Sequence, residues 1–218
     1  MDISRKSLHV IPDDSHSIYN LEEITKYVLE GGADVIQLRH KTLSSSDLLT
    51  VAQRLRNITS QYSVPFIVND RVDIAMVVGA DGVHLGQDDL PVKEVRSLMG
   101  KQTIIGVSCG SVKEAIEAQE EGANYIGFGH MYPTSSKIKL TPQRTLDELQ
   151  QVADAVGIPV IAIGGITEDK VAELLQAGAA GVAVIGAVCR SEDPKAITME
   201  FRKVIDTVLL RFLERDNK

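Results

Sequence analysis

No run in this chain approaches the roughly 18 apolar residues of a membrane-spanning helix, and the opening "MDISRKSLHVIPDD" has no apolar core flanked by a cleavage site. A cytoplasmic protein is expected. Cysteine is scarce: Cys109 and Cys189 are too few and too far apart for a metal knuckle or a redox pair, so both read as buried, reduced thiols. No Ser/Pro-rich or low-complexity stretch marks a linker, so residues 1–218 are expected to form one domain. Positive charge is also short. With 23 Lys and Arg against 30 Asp and Glu, a formal −7, the chain suits neither a nucleic-acid surface nor an anionic membrane. Basic residues gathered at one spot would therefore stand out.

What is present is a regular alternation. The β-branched runs "LHVIPD", "DVIQLRH", "PFIVND", "GVHLGQ", "TIIGVSC", "YIGFGH", "PVIAIGG" and "GVAVIGAV" read as strands one to eight. Their near-continuous apolarity suggests parallel strands buried on both faces. Between them lie amphipathic stretches such as "LEEITKYVLEGG", "DLLTVAQRLRNITS", "VKEAIEAQEEG" and "EDKVAELLQAG", acidic early and closed by glycine. A near-repeat, "GGAD", "VGAD", "EGAN" and "QAGAAG", sits between helix and strand, where glycine at the left-handed position past a helix end accounts for it. Eight such units with right-handed crossovers close most simply into a single (β/α)₈ barrel of the α/β class, a doubly wound open sheet being the alternative. The last helix is expected from Pro194 to Leu213.

In a barrel every strand ends at one rim, where barrel enzymes place their chemistry. Converging there would be Gln37, Arg39 and Lys41 after strand two; Asn69 and Asp70 after three; and Gln87, Asp88 and Asp89 after four. Ser108 follows strand five, His130 to Lys137 strand six, Gly164 and Gly165 strand seven, Ile185 and Gly186 strand eight. Carboxylates at Asp70, Asp88 and Asp89 face cations at Arg39, Lys41 and Lys137. A hard divalent cation held by one or two carboxylates, with substrate phosphates filling its shell and lysines neutralising the remainder, uses both sets. Glycines in "AIGGIT" and "VAVIGAV" let backbone N–H groups approach a second anion, as loops seven and eight of barrels commonly do. Two phosphorylated ligands are expected. His84, in "GVHLG", reads as a barrel-interior histidine rather than a base.

Taken together and in order, "QLRHK", "VNDRVDIA", "ADGVHLGQDD", "IIGVS", "YIGFGHMYPTSSK", "IPVIAIGGIT" and "AGAAGVAVIGAV" span nearly the whole chain and resemble the thiamine phosphate synthase family. The resemblance implies a barrel that joins hydroxymethylpyrimidine diphosphate to a thiazole phosphate with Mg²⁺, releasing pyrophosphate and, from the carboxylated thiazole, carbon dioxide. It implies that Gln37, Arg39, Lys41, Asn69, Ser108 and Lys137 hold the pyrimidine diphosphate. Asp70 and Asp89 would bind Mg²⁺, with Asp88 only a neighbour. Thr134, Ser135, Ser136, Gly165, Ile185 and Gly186 would hold the thiazole phosphate, and the loop after strand six would close over both. Arg39, Lys41, Lys137 and His130 are then the catalytic candidates. The partners are small phosphorylated substrates; a homodimer is left open.

The chain departs from the family at His130, often Pro, at Gly110, often His, and at Thr145, often Gly. A sister group, the thiazole tautomerases, resembles this chain in "FGH", whose histidine shuttles a proton between thiazole isomers. The complete diphosphate set favours the synthase, because a one-substrate isomerase does not need it. A third reading, a regulator that senses thiazole phosphate, would need an exposed apolar patch or an extra segment, and the sequence suggests neither.

Overall fold

Short runs dense in Val and Ile cannot satisfy a helix's polar face, and strands buried on two sides suit them. The structure, a computed structural model, describes residues 7–14, 18–134 and 142–216. Eight parallel strands form a closed barrel in sequential order: β1 (Ser7–Val10), β2 (Val35–Leu38), β3 (Phe66–Asn69), β4 (Gly82–Leu85), β5 (Ile104–Cys109), β6 (Tyr125–Gly129), β7 (Val160–Ile163) and β8 (Gly181–Val184). Closure comes from β8 pairing with β1, Leu8 opposite Val182. Around it lie α1 (Ile18–Glu30), α2 (Ser45–Gln61), α3 (Val72–Val78), α4 (Val92–Met99), α5 (Val112–Glu120), α6 (Leu146–Ala155) and α7 (Val171–Gln176). A one-turn α8 (Gly186–Cys189) and the long α9 (Pro194–Asp216) complete the ring.

Alternate strand residues divide into two cores. Outward-facing Leu8, Val10, Phe66, Val68 and Phe128 pack beneath the helices in one cluster, whereas Ile11, Val35, Ile67, Tyr125, Ile161 and Ala183 fill the barrel. The inner face is not uniformly apolar. His9, Gln37 and His84 are buried there too, so the strands' near-continuous apolarity belongs chiefly to the side that meets the helices.

Two of the element boundaries that differ from the sequence reading have a local cause. The eighth strand stops at Val184, because Ile185 leaves the extended region (φ −119°, ψ −87°) and the next residues close a turn in which Cys189 N–H donates to the Ile185 carbonyl at 2.8 Å. The final helix runs on to Asp216, since no glycine or proline stops it at Leu213.

The near-repeat does more than end helices. Gly32, Gly79, Gly122 and Gly178 all have φ between 60° and 96°, and the alanine after each donates its N–H five residues back: Ala33 to Val28, Ala80 to Ala75, Ala123 to Ala118 and Ala179 to Leu174. That is the six-to-one bond of a left-handed helix stop. The residue that follows then staples two strands. Asp34 accepts from Leu8 N–H at 2.7 Å, Asp81 from Phe66 N–H at 2.8 Å and Asn124 from Ile105 N–H at 2.8 Å. An arginine covers each: Arg202, Arg56 and Arg96 in turn. In the fourth copy the position is Ala180, which can bond only through its backbone: its N–H donates to the Val160 carbonyl and its carbonyl accepts from Ser7 N–H.

Candidate active site

The polar residues gather at the ends of the strands opposite those staples. Gln37 is buried on β2, and Arg39, two residues on, donates its N–H to the Pro12 carbonyl while its guanidinium lies 3.8 Å from Asp14. Lys41, half exposed, is paired with the more buried Asp70. Asp70 holds the left-handed region at φ 62°, one of two non-glycine residues so placed among those described. An aspartate tolerates that conformation better than a β-branched residue, and its N–H is satisfied by the His84 carbonyl at 2.9 Å. The kink turns the Asp70 carboxylate from the strand towards Lys41.

Ser108 lies at the end of β5, its Oγ 2.9 Å from His84 Nε2, and Gln87 Nε2 donates to its carbonyl at 2.7 Å. His84 is buried, as expected of a barrel-interior histidine, and its Nδ1 is 2.9 Å from the Tyr125 hydroxyl. His130 stands just past β6, where Arg144 N–H donates to its carbonyl. The chain then runs beside β7, with Met131 N–H bonded to the Ile163 carbonyl and Tyr132 N–H to that of Gly164. Glycine is required opposite: a Cβ on Gly164 would come 2.5 Å from His130 Cβ, and one on Gly165, at φ 64°, 2.3 Å from the Pro133 carbonyl oxygen.

Two adjoining cavities open at this rim, each enclosing about 730 Å³ with its open mouth included. The first reaches into the barrel and is lined by Gln37, Arg39, Asn69, Ser108 and His130. Gly165 and Gly186 line the second, and Ile185 lies between the two. Thr134 borders both. Ser135, Ser136 and Lys137 lie outside the described residues. Sequence reasoning missed His9 and Tyr125 on the floor of the first cavity and Arg190 at the wall of the second. The strand alternation of "SLHV" and "YIGFG" sets the face each occupies, which becomes the inner one only when the barrel closes.

Asp70 and Asp89 follow neighbouring strands. Asp89 Oδ2 accepts from Gly86 N–H at 2.6 Å and borders a groove between α4 and α5. No group of three or more His, Cys, Asp or Glu side chains able to hold a metal occurs among the described residues. The donor set nonetheless fits Mg²⁺ of the shared kind, in which one or two carboxylates suffice and substrate phosphates complete the octahedron. Of the two expected metal residues, Asp70 has a covered carboxylate oxygen beside Lys41, whereas Asp89 lies on the groove between α4 and α5.

Both cysteines are free and buried, and burial pushes each thiol up to about 12, which keeps them protonated and inert at neutral pH.

A closed eight-strand barrel with two adjoining cavities at the strand ends defines a (β/α)₈ barrel with its site in the usual place for such enzymes. Residues 8–188 match the family described as thiamine monophosphate synthase, and the chain belongs to that family. Its similarity to a thiamine-phosphate synthase of Chlorobium phaeovibrioides is 47% identity over 194 residues, covering 88% of this chain and 90% of the relative. A thiamine-phosphate synthase of Shouchella clausii is 44% identical over 184 residues, covering 84% and 88%. Among solved structures, a thiamine phosphate pyrophosphorylase from Pyrococcus furiosus superimposes with a TM-score of 0.86 at 38% identity, covering 95% of this chain and 98% of that one. These relatives bear out the synthase reading of the sequence. Among the described residues no helix is long and apolar enough to cross a membrane.

Proposed function

We propose that the rim catalyses the Mg²⁺-dependent coupling of hydroxymethylpyrimidine diphosphate with a thiazole phosphate, giving thiamine phosphate and pyrophosphate. One observation carries this reading: two adjoining cavities at the rim share Thr134 and Ile185, with Gln37, Arg39, Asn69 and Ser108 on one side and Gly165 and Gly186 on the other, as two phosphorylated substrates would need. The bond from the pyrimidine methylene carbon to oxygen breaks, its electron pair leaving with pyrophosphate. The thiazole nitrogen then supplies the pair for the new carbon–nitrogen bond, and a carboxylated thiazole also loses carbon dioxide.

The protein's task is positioning and charge stabilisation. Gln37, Asn69 and Ser108 hold the pyrimidine in the first cavity, and Arg39, Lys41 and Lys137 stabilise the departing pyrophosphate. Asp70 and Asp89 are the residues that would hold Mg²⁺, which when bound supplies charge neutralisation to the leaving group. Gly165, Ile185 and Gly186 offer backbone donors to the thiazole phosphate, with Thr134 between the ligands. The same reading places the reaction in the cytoplasm, which the two free thiols support.

The test supplies both substrates to the purified protein with and without Mg²⁺. Equal amounts of thiamine phosphate and pyrophosphate, formed only with the metal, are expected. A second reading, tautomerisation by His130, is favoured only by that side chain's place in the first cavity. Isomer conversion that ignores Mg²⁺ and the pyrimidine, and disappears in His130→Asn, would replace the synthase.

A further inference from the structure

Beneath the first cavity three side chains form a line. The Tyr125 hydroxyl is 2.9 Å from His84 Nδ1, and His84 Nε2 is 2.9 Å from Ser108 Oγ. Tyr125 is among the most deeply buried side chains of the protein. A buried phenol must give its proton to some acceptor or bear the cost of leaving it unsatisfied. His84 Nδ1 is the hydrogen-bond partner the structure shows for it. The direction of every proton in the line follows. With Tyr125 donating to Nδ1 and the imidazole neutral, His84 carries its proton on Nε2 and donates to Ser108 Oγ. Ser108 has then received a hydrogen bond, and its own O–H is left to point at the cavity.

The barrel is shaped to admit this line. A Cβ on Gly106 would fall 2.1 Å from Tyr125 Cζ, and one on Gly127 would fall 3.0 Å from His84 Cε1. Two strands thus give up a side chain where the line crosses them. His9, packed edge-on to the Tyr125 ring with centroids 5.5 Å apart, closes the floor.

We infer that Tyr125 and His84 are positioning residues that fix Ser108 as a hydrogen-bond donor towards an acceptor on the pyrimidine ring, and so help select that ring. This deepens the proposed function and rests on its assignment of Ser108 to the pyrimidine diphosphate. Without the line, the hydroxyl would be free to turn its proton back to His84 and meet the ring's lone pair with its own. With it, the serine has one role before the substrate arrives.

Two measurements test the inference without requiring turnover. Side-chain nitrogen NMR of the wild-type protein is expected to show His84 as the neutral tautomer protonated on Nε2; protonation on Nδ1 would overturn the inference. Calorimetry then compares hydroxymethylpyrimidine diphosphate with inorganic pyrophosphate, each with Mg²⁺, on wild type, Tyr125→Phe, Ser108→Ala and the double variant. Each single change is expected to weaken the pyrimidine ligand about 3- to 10-fold, the worth of one hydrogen bond. Pyrophosphate binding should stay constant, and the double variant should match Ser108→Ala, because Tyr125 acts through that serine. Additive losses, or equal losses with pyrophosphate, would mean that Tyr125 only supports the barrel. Failure of the coupling reaction in wild type would count against the proposed function and leave these two readouts standing.

Discussion

His9 carries a consequence for acid stability. Burial, and after it the proximity of His84, depress its pKa from 6.5 to about 3. The folded protein therefore resists protonation that the unfolded chain accepts. Stability is untouched by this group above about pH 6.5 and is lost as pH falls towards 3, by about 5 kcal/mol over the full interval. Urea midpoints measured across that range should fall less steeply in His9→Asn than in wild type. Lys41 makes the contrasting case, because its ammonium is half exposed and its pair with the more buried Asp70 adds little to the fold. Its value lies in the charge that develops on a departing pyrophosphate. Lys41→Ala should slow single-turnover pyrophosphate release about 100-fold while leaving the melting temperature within a degree or two of wild type.

At the scale of elements, the repeated glycine, alanine and Asp or Asn unit shows what periodicity reveals and what it hides. The glycine stop was legible, since a left-handed residue after an amphipathic helix needs no knowledge of tertiary structure. The role of Asp34, Asp81 and Asn124 was not. Each accepts from a strand at least 15 residues earlier in the chain, and no local pattern encodes such a contact. Arg96 extends the device: its guanidinium donates to the carbonyls of Gly100, Thr103 and Gly122 and to Asn124 Oδ1, tying the end of α4 to β5 and to the turn after α5. Asp81→Ala should cost about 1–3 kcal/mol, because Phe66 N–H and Arg56 both lose their acceptor. Chemical unfolding reads the cost, and the Michaelis constants of both substrates should stay unchanged, because the staple lies at the opposite end of the barrel from the rim.

Across the whole molecule the two ends of the barrel divide the labour, with staples at the strand starts and ligand-facing groups at the strand ends. The alternation of strands and helices made the ligand-facing end visible in advance, and it brought Gln37, Asn69, Ser108 and His130, separated by up to 93 positions, to one cavity. It did not reveal the floor, because His9 and Tyr125 look like ordinary strand residues until the barrel closes and turns them inward. The division leads to a ligand-linked prediction. A ligand that binds only the folded state at 100 times its dissociation constant stabilises by about 2.7 kcal/mol, which for a chain of this size raises Tm by about 5–10 °C. Hydroxymethylpyrimidine diphosphate should produce this shift only with Mg²⁺, and Asp89→Ala should lose the metal-dependent part, read against its own unliganded melt because Gly86 N–H loses its acceptor. Thiazole phosphate should stabilise both proteins equally, since Gly165 and Gly186 belong to the second cavity and Asp89 borders neither. Calorimetric melting of the two proteins with each ligand, with and without Mg²⁺, makes the comparison. An Asp89→Ala protein that kept the full metal-dependent shift would remove Asp89 from the metal site, and a thiazole phosphate shift that vanished with it would show that the two cavities do not bind independently.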